Sequence, residues 1–300
     1  MIRANKLQGF SERINGDNRP ITADIFLTDY CNASCAYCRY RRRSGKYMAF
    51  HDFVRYAERL VSLGVKSVIL TGGGEPTINQ DFGKITNWLE RKNIPYGINT
   101  NMIKKIECSP VFVKISIDSG IRENYKALRG VDALEKVVSN VKAFVKNKRG
   151  ETKVGVQCVA TSKENVLSFY ELVKNIDVDY IYIRPIESCN NEDVSGEDVE
   201  SWLSCIDDER LQLSFKFNFK SYKPKHCYAN WSVITLNCVG DVMYCCHKPS
   251  EIVGHIMDDD ILAKKERWLH NGDTCETPCR LSGANHFLDG RKIENDYMFI

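Results

Sequence analysis

Cys31, Cys35 and Cys38 form a Cys-x-x-x-Cys-x-x-Cys run. Three thiolates on so tight a loop can grip one metal ion or one cluster. The next cysteine is Cys108, so the loop offers no fourth ligand. A structural metal site is normally closed, whereas a reactive one keeps a coordination position open. If the loop holds a four-iron cluster, one iron lacks a protein thiolate and can take a small-molecule ligand. Spacing alone leaves zinc as the alternative. Farther along, Gly73-Gly74-Glu75-Pro76 supplies glycines that let backbone approach a ligand.

The segments that must position these residues alternate between strand and helix patterns. Strands are predicted at 23–31, 67–73, 95–101, 111–119, 154–161 and 180–187, and helices at 50–64, 78–92, 133–148 and 164–176. Phe53, Ala57, Leu60 and Val61 share one face of the first helix, and Gly64 can end it. Leu134, Val137, Val138, Val141 and Val145 form the stripe of the third helix. Strands joined by helices imply an α/β fold with a parallel sheet, a partial (β/α)6 TIM-like barrel. Functional groups then belong at the C-terminal strand ends, where Cys31 and Gly73 fall. Arg184 and Glu187, at the end of the last strand, are candidates for substrate contact and catalysis, while Tyr182 is expected in the core.

From about 222 helical periodicity fades and cysteines crowd in at 227, 238, 245, 246, 275 and 279. SVITLN and DVMYCC flank Gly240 as a β-hairpin. So short a region can barely bury a core alone, and a metal centre would supply the missing stability. The expected organisation is an N-terminal extension (1–21), a barrel core (22–220) and a small cysteine-rich region (221–300), with 188–200 as the boundary loop.

Composition bounds the function. The 300 residues carry 42 Lys plus Arg against 39 Asp plus Glu, a net charge of +3. That balance gives no global field for nucleic acid or membrane, and tRNA modification would call for a basic face. No run reaches the roughly 18 apolar residues of a membrane span, and the N-terminus lacks the apolar stretch of a signal peptide. A cytoplasmic protein is expected. Its 13 cysteines are an odd number, so they cannot all pair within one chain, and the cytosol keeps thiols reduced. Ligands and buried apolar residues are the remaining roles.

CNASCAYC, followed by Gly73-Gly74-Glu75-Pro76, resembles the radical S-adenosylmethionine (SAM) superfamily. The resemblance implies a SAM-binding [4Fe-4S] cluster on Cys31, Cys35 and Cys38. It places Tyr37 near the adenine, Gly73, Gly74 and Glu75 at the methionyl ammonium, and Arg129 toward the cofactor carboxylate. Asn99, Ser116 and Asp118 become further cofactor contacts. Asn99-Thr100-Asn101 ends a strand where the family often carries Thr-Asn-Gly, and Met102 departs from that pattern. Gly240-x-Val242-x-x-Cys245 resembles the Twitch (shortened SPASM) auxiliary-cluster region, implying one auxiliary [4Fe-4S] cluster on Cys227, Cys245, Cys275 and Cys279. Cys246 competes with Cys245, and zinc competes with iron. The other cysteines (108, 158, 189, 205, 238 and 246) are expected to be buried apolar residues.

The implied chemistry is reductive SAM cleavage and hydrogen abstraction, with flavodoxin or ferredoxin as reductant. A fully ligated second cluster suits electron transfer and hence net oxidation, as in superfamily dehydrogenases of an aminocyclitol alcohol. The small-molecule reading stands ahead of modification of a ribosomally made peptide. A non-enzymatic zinc- or iron-binding protein on the same scaffold is the remote alternative.

Overall fold

In the computed structural model, residues 19–40, 44–186, 194–214, 216–217, 227, 230, 232–267 and 285 are described. The first strand, β1 (Thr22–Phe26), is followed by α1 (Phe50–Ser62), β2 (Ser67–Thr71), α2 (Phe82–Arg91), β3 (Tyr96–Thr100) and β4 (Phe112–Ser116). Helices α3 (Arg122–Arg129) and α4 (Leu134–Asn147) lead to β5 (Lys153–Val159), α5 (Lys163–Val173) and β6 (Tyr180–Arg184). Then come α6 (Gly196–Leu203), β7 (Leu211–Leu213), β8 (Val233–Leu236), β9 (Asp241–Met243), β10 (Ile252–His255) and α7 (Ile261–Arg267). All strands join one sheet in the order β10-β9-β8-β1-β2-β3-β4-β5-β6-β7. Strands β1 to β7 run parallel, β8 adds to β1 in parallel, and β9 and β10 turn antiparallel.

The six predicted parallel strands are present, flanked by two more. Strand β7 has three residues and was missed, although the alternation of Leu211, Leu213, Phe215, Phe217 and Phe219 with polar residues carries the period-2 signal of a strand. The predicted hairpin is β8–β9, with Gly240 at φ 88 in its turn. It continues the barrel sheet, with Thr22 opposite Val233.

Alternation along each strand separates two faces. Ala23, Ile25 and Leu27, Val68 and Leu70, Val113 and Ile115, and Ile181 and Ile183 pack into the hydrophobic core beneath the helices. The opposite parity lines the inside. On α1, Phe53, Tyr56, Ala57 and Leu60 are buried, whereas Val61 is exposed, because it lies one step around from that i, i+3, i+4, i+7 stripe. On α4, Leu134, Val137, Val141 and Phe144 are the buried residues, with Val138 and Val145 packed at the edge. The expected loop over 188–200 gives way to α6 at Gly196, where Ser195 and Asp198 form a reciprocal capping box.

Two glycines shape the barrel floor. Gly97 lies opposite Phe112, and Gly155 opposite Tyr180. A Cβ on Gly97 would meet the Phe112 ring at 2.1 Å, and one on Gly155 the Tyr180 ring at 1.9 Å. Each aromatic ring lies across a neighbouring strand where a side chain is missing.

Candidate active site

The cysteine loop is clamped from two sides. Gly74 N donates to Thr28 O at 3.0 Å and Glu75 N to Tyr30 O at 2.8 Å. A Cβ on Gly74 would lie 1.9 Å from Tyr30 O, so only glycine lets the two backbones approach this closely. On the other side Ser34 N donates to Arg129 O at 2.8 Å and Ala36 N to Leu128 O at 2.9 Å. There Gly130 ends α3 at φ 66, and a Cβ on it would meet Ser34 O at 2.5 Å.

Glu75 is buried, and its carboxylate accepts from the Thr77 and Thr100 hydroxyls at 2.7 and 2.6 Å and from Asn101 N at 2.7 Å. Burial raises its pKa above the usual carboxylate value, opposed by these donors. The carboxylate therefore ties the β2 turn to the end of β3, and the backbone beside it faces the cavity. Asn101 Nδ2 points toward Cys31 Sγ at 3.9 Å while donating to Asn32 Oδ1 at 2.8 Å. Met102, where glycine was expected, adopts the left-handed conformation at φ 55 and is fully buried.

Behind the loop lies a dry cluster. Arg129 Nη1 is 2.9 Å from Asp118 Oδ2 and donates to the Tyr37 hydroxyl at 3.0 Å, and that hydroxyl donates to Asp118. Asp118 Oδ1 also accepts from Val159 N at 2.9 Å. Burial, then Asp118, push the Tyr37 hydroxyl well above its ordinary pKa. Burial likewise raises the Cys35 thiol, while the Arg129 cation works against it.

These parts border one cavity of about 1010 Å³ on the concave face of the sheet. Cys31, Cys35 and Cys38 lie at its rim with Tyr37, Gly74 and Glu75, and the wall includes Asn99, Ser116, Arg129 and Arg184. Among the predicted site residues, Gly73 and Asp118 stand behind this wall. A Cβ on Gly73 would meet Tyr40 at 3.2 Å, and Asp118 is covered by its partners. Glu187, Cys275 and Cys279 lie outside the described residues. Tyr182, expected in the core, is on the cavity wall, because Ile181 and Ile183 take the helix-facing parity. Its hydroxyl donates to Ser214 Oγ at 2.8 Å or accepts from it.

Parity also places residues that motif reading missed. Lys114 and Gln157 interrupt apolar strands on the inward parity shared by Ser116 and Arg184, and both line the cavity. Gln157 Nε2 donates to Ser116 Oγ at 2.7 Å. Lys216, beyond β7, shares the polar parity of Gln212 in the alternating run 211–219, and both line the cavity.

In the C-terminal segment, Asn230 N donates to Cys227 O at 3.2 Å and Asn230 Nδ2 to Tyr244 O at 2.7 Å, holding the Cys227 backbone near that of Cys245. Buried Asn285 donates to Cys227 Sγ at 3.5 Å. Cys245 packs on the core, whereas Cys246 borders the cavity. Tyr40 donates its hydroxyl proton to Cys246 O, and Arg39 Nη1 to His247 O at 3.4 Å. Of the cysteines expected to be apolar, Cys158 and Cys238 are buried and Cys108 is half-buried, with its thiol pushed up to about 12 by burial. Cys205 is exposed, and Cys189 lies outside the described residues.

Three thiols on a loop that follows a parallel strand, beside a cavity at the C-terminal strand ends, form the arrangement of a barrel that presents a metal cluster to a small cofactor. The chain belongs to the radical SAM superfamily: residues 25–176 match that family. It is therefore an enzyme of a family that binds SAM and a [4Fe-4S] cluster. It is 27% identical over 218 residues to a probable GTP 3',8-cyclase of Saccharolobus islandicus, covering 67% of this chain and 69% of the relative. A probable GTP 3',8-cyclase of Pyrococcus horikoshii is 34% identical over 138 residues, covering 43% of this chain and 44% of that one. In fold the chain is similar to Streptococcus suis SuiB bound to S-adenosylmethionine, with TM-score 0.67 and 17% identity over 90% of this chain and 69% of SuiB. It is also similar to anSMEcpe with bound AdoMet and Cp18Cys peptide, with TM-score 0.62 and 17% identity over 85% of this chain and 84% of that one.

The residues present fit both groups. Thiols are the donors a four-iron cluster takes, and three of them leave one iron for a cofactor. Asn99 Oδ1, buried on the cavity wall, has no hydrogen-bond partner in the protein and is an acceptor for a cofactor N–H or O–H. Among the described residues no helix is long and apolar enough to cross a membrane.

Proposed function

We propose that this radical SAM enzyme acts on a small polar molecule lying against β4, β5 and β6, beneath the cofactor. The observation that carries this reading is the cavity. At about 1010 Å³ it sits at the upper end of the range for small-molecule sites, and it extends from the three thiols to Tyr182 and Gln212. One chamber can thus take a cofactor and a second small molecule together. A cluster held by Cys31, Cys35 and Cys38 would supply the electron for reductive cleavage of SAM, the chemistry by which this family abstracts a substrate hydrogen.

This chain's own residues hold and orient. Cys31, Cys35 and Cys38 ligate the cluster, and the backbone of Gly74 and Glu75 takes the methionyl ammonium, supported by Gly73 from behind the wall. Asn99 and Ser116 contact the cofactor, Arg129 and Asp118 fix Tyr37 beside it, and Phe112 and Tyr180 close the floor against water. Arg184 and Glu187 are assigned to the substrate side. The GTP 3',8-cyclase names of relatives support a small substrate. Cys227, Cys245, Cys275 and Cys279 are assigned to one auxiliary [4Fe-4S] cluster, and full thiolate ligation would suit it to accept an electron in a net oxidation. Flavodoxin or ferredoxin would supply the first electron. Modification of a peptide is the second reading, supported by likeness to SuiB, which is known with its precursor peptide SuiA bound.

The test is anaerobic reconstitution, followed by counts of iron, sulfide and zinc and by assay of 5′-deoxyadenosine. Two clusters give about eight irons per chain, falling to about four in the Cys31/Cys35/Cys38→Ala variant. Retained SAM cleavage in that variant would overturn the assignment. Iron at half the expected count with one zinc would make the second site structural. Stimulation of 5′-deoxyadenosine formation by peptides and not by small metabolites would favour the second reading.

A further inference from the structure

The floor of the cavity repeats one construction. Phe112 opens β4 opposite Gly97 of β3, and Tyr180 opens β6 opposite Gly155 of β5. A Cβ on Gly97 would lie 2.1, 2.2 and 2.7 Å from Cε1, Cζ and Cδ1 of Phe112. One on Gly155 would lie 1.9, 2.0 and 2.4 Å from Cζ, Cε2 and Cε1 of Tyr180. A point beside the edge of a ring can come this near to two carbons but not to a third. Each missing Cβ therefore falls over a ring face, and the ring rests flat on its glycine. Both glycines sit on the inward parity of their strands, shared with Asn99 and Gln157. The opposite face of each ring is thus turned to the cavity, which Phe112 and Tyr180 line.

Among the described residues neither ring stacks on another aromatic ring or lies under a cation. Tyr182 differs, since Lys114 Nζ lies 5.4 Å from its ring centre. Tyr180 reaches from β6 across β5, so its hydroxyl points toward β4, the strand that carries Phe112. That hydroxyl is buried and has no hydrogen-bond partner in the protein, although a buried polar group normally has one. Packing alone would be served by a second phenylalanine, as at position 112. From Phe112 to Ser116, β4 rises by about 13 Å, so the rings lie well below the end of the barrel where the three thiols sit.

We propose that the substrate carries a flat aromatic heterocycle that stacks on the floor of Phe112 and Tyr180, with a ring nitrogen or carbonyl oxygen accepting from the Tyr180 hydroxyl. Aromatic side chains take such rings by their π faces, in offset stacks that tolerate differences between one heterocycle and another. A saturated cyclitol has no face to offer. The proposal rests on the small-molecule reading above and narrows it.

The test uses reconstituted protein under anaerobic conditions, loaded with SAM so that the adenine is already in place. Guanosine, tryptophan, nicotinamide and the saturated control myo-inositol are titrated calorimetrically to millimolar concentration. At least one flat probe is expected to bind saturably and myo-inositol not. Phe112→Leu and Tyr180→Leu should each weaken that probe by at least about fivefold. Tyr180→Phe, which keeps the ring face and loses the hydroxyl, should lose less than Tyr180→Leu. Iron content checks that the variants fold, and methionine replaces leucine in a variant that loses its iron. Equal losses in Tyr180→Phe and Tyr180→Leu, unchanged probe binding in both leucine variants, or weakened SAM binding in place of weakened probe binding overturns the proposal. If wild type binds myo-inositol and no flat probe, the heterocycle falls and the small-molecule reading stands; if it binds none of the four, both fall. If a flat probe binds but SAM is not cleaved, the proposal stands and the radical reading fails.

Discussion

Arg129 and Asp118 form an ion pair at 2.9 Å with almost no water on either side chain, 7% and 0% exposed. Asp118 holds this position at φ 73, in the left-handed region that asparagine and aspartate tolerate best after glycine. The pair is the back support of the cysteine loop: its third member, Tyr37, lies between Cys35 and Cys38, and Arg129 O accepts from Ser34 N.

Removing both partners should therefore cost less than the two single removals added together. Arg129→Met leaves a buried carboxylate without its cation, an expected loss of about 3–5 kcal/mol. Arg129→Met/Asp118→Asn should be less destabilised than the sum of the single variants. Chemical denaturation of all three measures the cycle, and strict additivity would show that the pair is not coupled.

The glycine–aromatic pairs of the barrel floor make a steric prediction. Gly155→Ala pushes a methyl into the Tyr180 ring and should destabilise by about 1–3 kcal/mol, as overpacking does. Gly155→Ala/Tyr180→Leu should recover part of that loss. A shift in melting temperature reads both, and an unchanged melting temperature for Gly155→Ala would contradict the packing.

Acid should loosen the floor through Asp179. Burial pushes its carboxyl up, but Val154 N–H at 2.8 Å and the Lys148 and Lys153 ammonium groups outweigh burial and hold it below its ordinary 3.8. A depressed native pKa means that the unfolded chain binds the proton first. The stabilisation is thus complete above that ordinary value and is lost as pH falls through the native one. Asp179→Asn should cost about 1–3 kcal/mol at neutral pH, and the gap to wild type should close in acid. Urea unfolding at several pH values checks this, and a gap that widens in acid would reverse the sign.

The contact between Tyr40 and Cys246 O ties the residues just after Cys38 to the loop after β9. The Tyr40 ring is also fixed edge-on against Phe26, with centroids 5.3 Å apart. Tyr40→Phe keeps that packing and removes the hydrogen bond, a loss of about 1 kcal/mol. Faster amide exchange over 245–248 is the expected signature, and unchanged protection there would mean that the bond does not hold the loop.

The cysteine triplet and Gly73-Gly74-Glu75-Pro76 were legible because chemistry restricts both residue type and spacing, and the long strands were legible because β-branched and aliphatic residues cluster in them. Lys114 and Gln157 were hidden in plain strand sequence, since a motif search ignores parity. The same rule, applied from Ser116 and Arg184, points to both. Tyr182 was misplaced for that reason. Helices α3 and α7 are too short for periodicity to register, whereas strand β7 was overlooked despite the alternation over 211–219. Glu75 could be found as a site residue, but the donors that tie down its carboxylate come from Thr77, Thr100 and Asn101, whose convergence only the fold reveals.

Strand β1 is flanked by β2 on one side and β8 on the other, so Thr22 pairs with Ser67 and with Val233. On a ribosome the first neighbour emerges early and the second only after the rest of the barrel. Until then the edge that β8 will cover, along Thr22–Ile25, stays open for strand addition by any passing chain. So distant a pairing also slows the final closure of the sheet. Truncation before β8 would therefore leave a nascent barrel prone to aggregate rather than a smaller working enzyme.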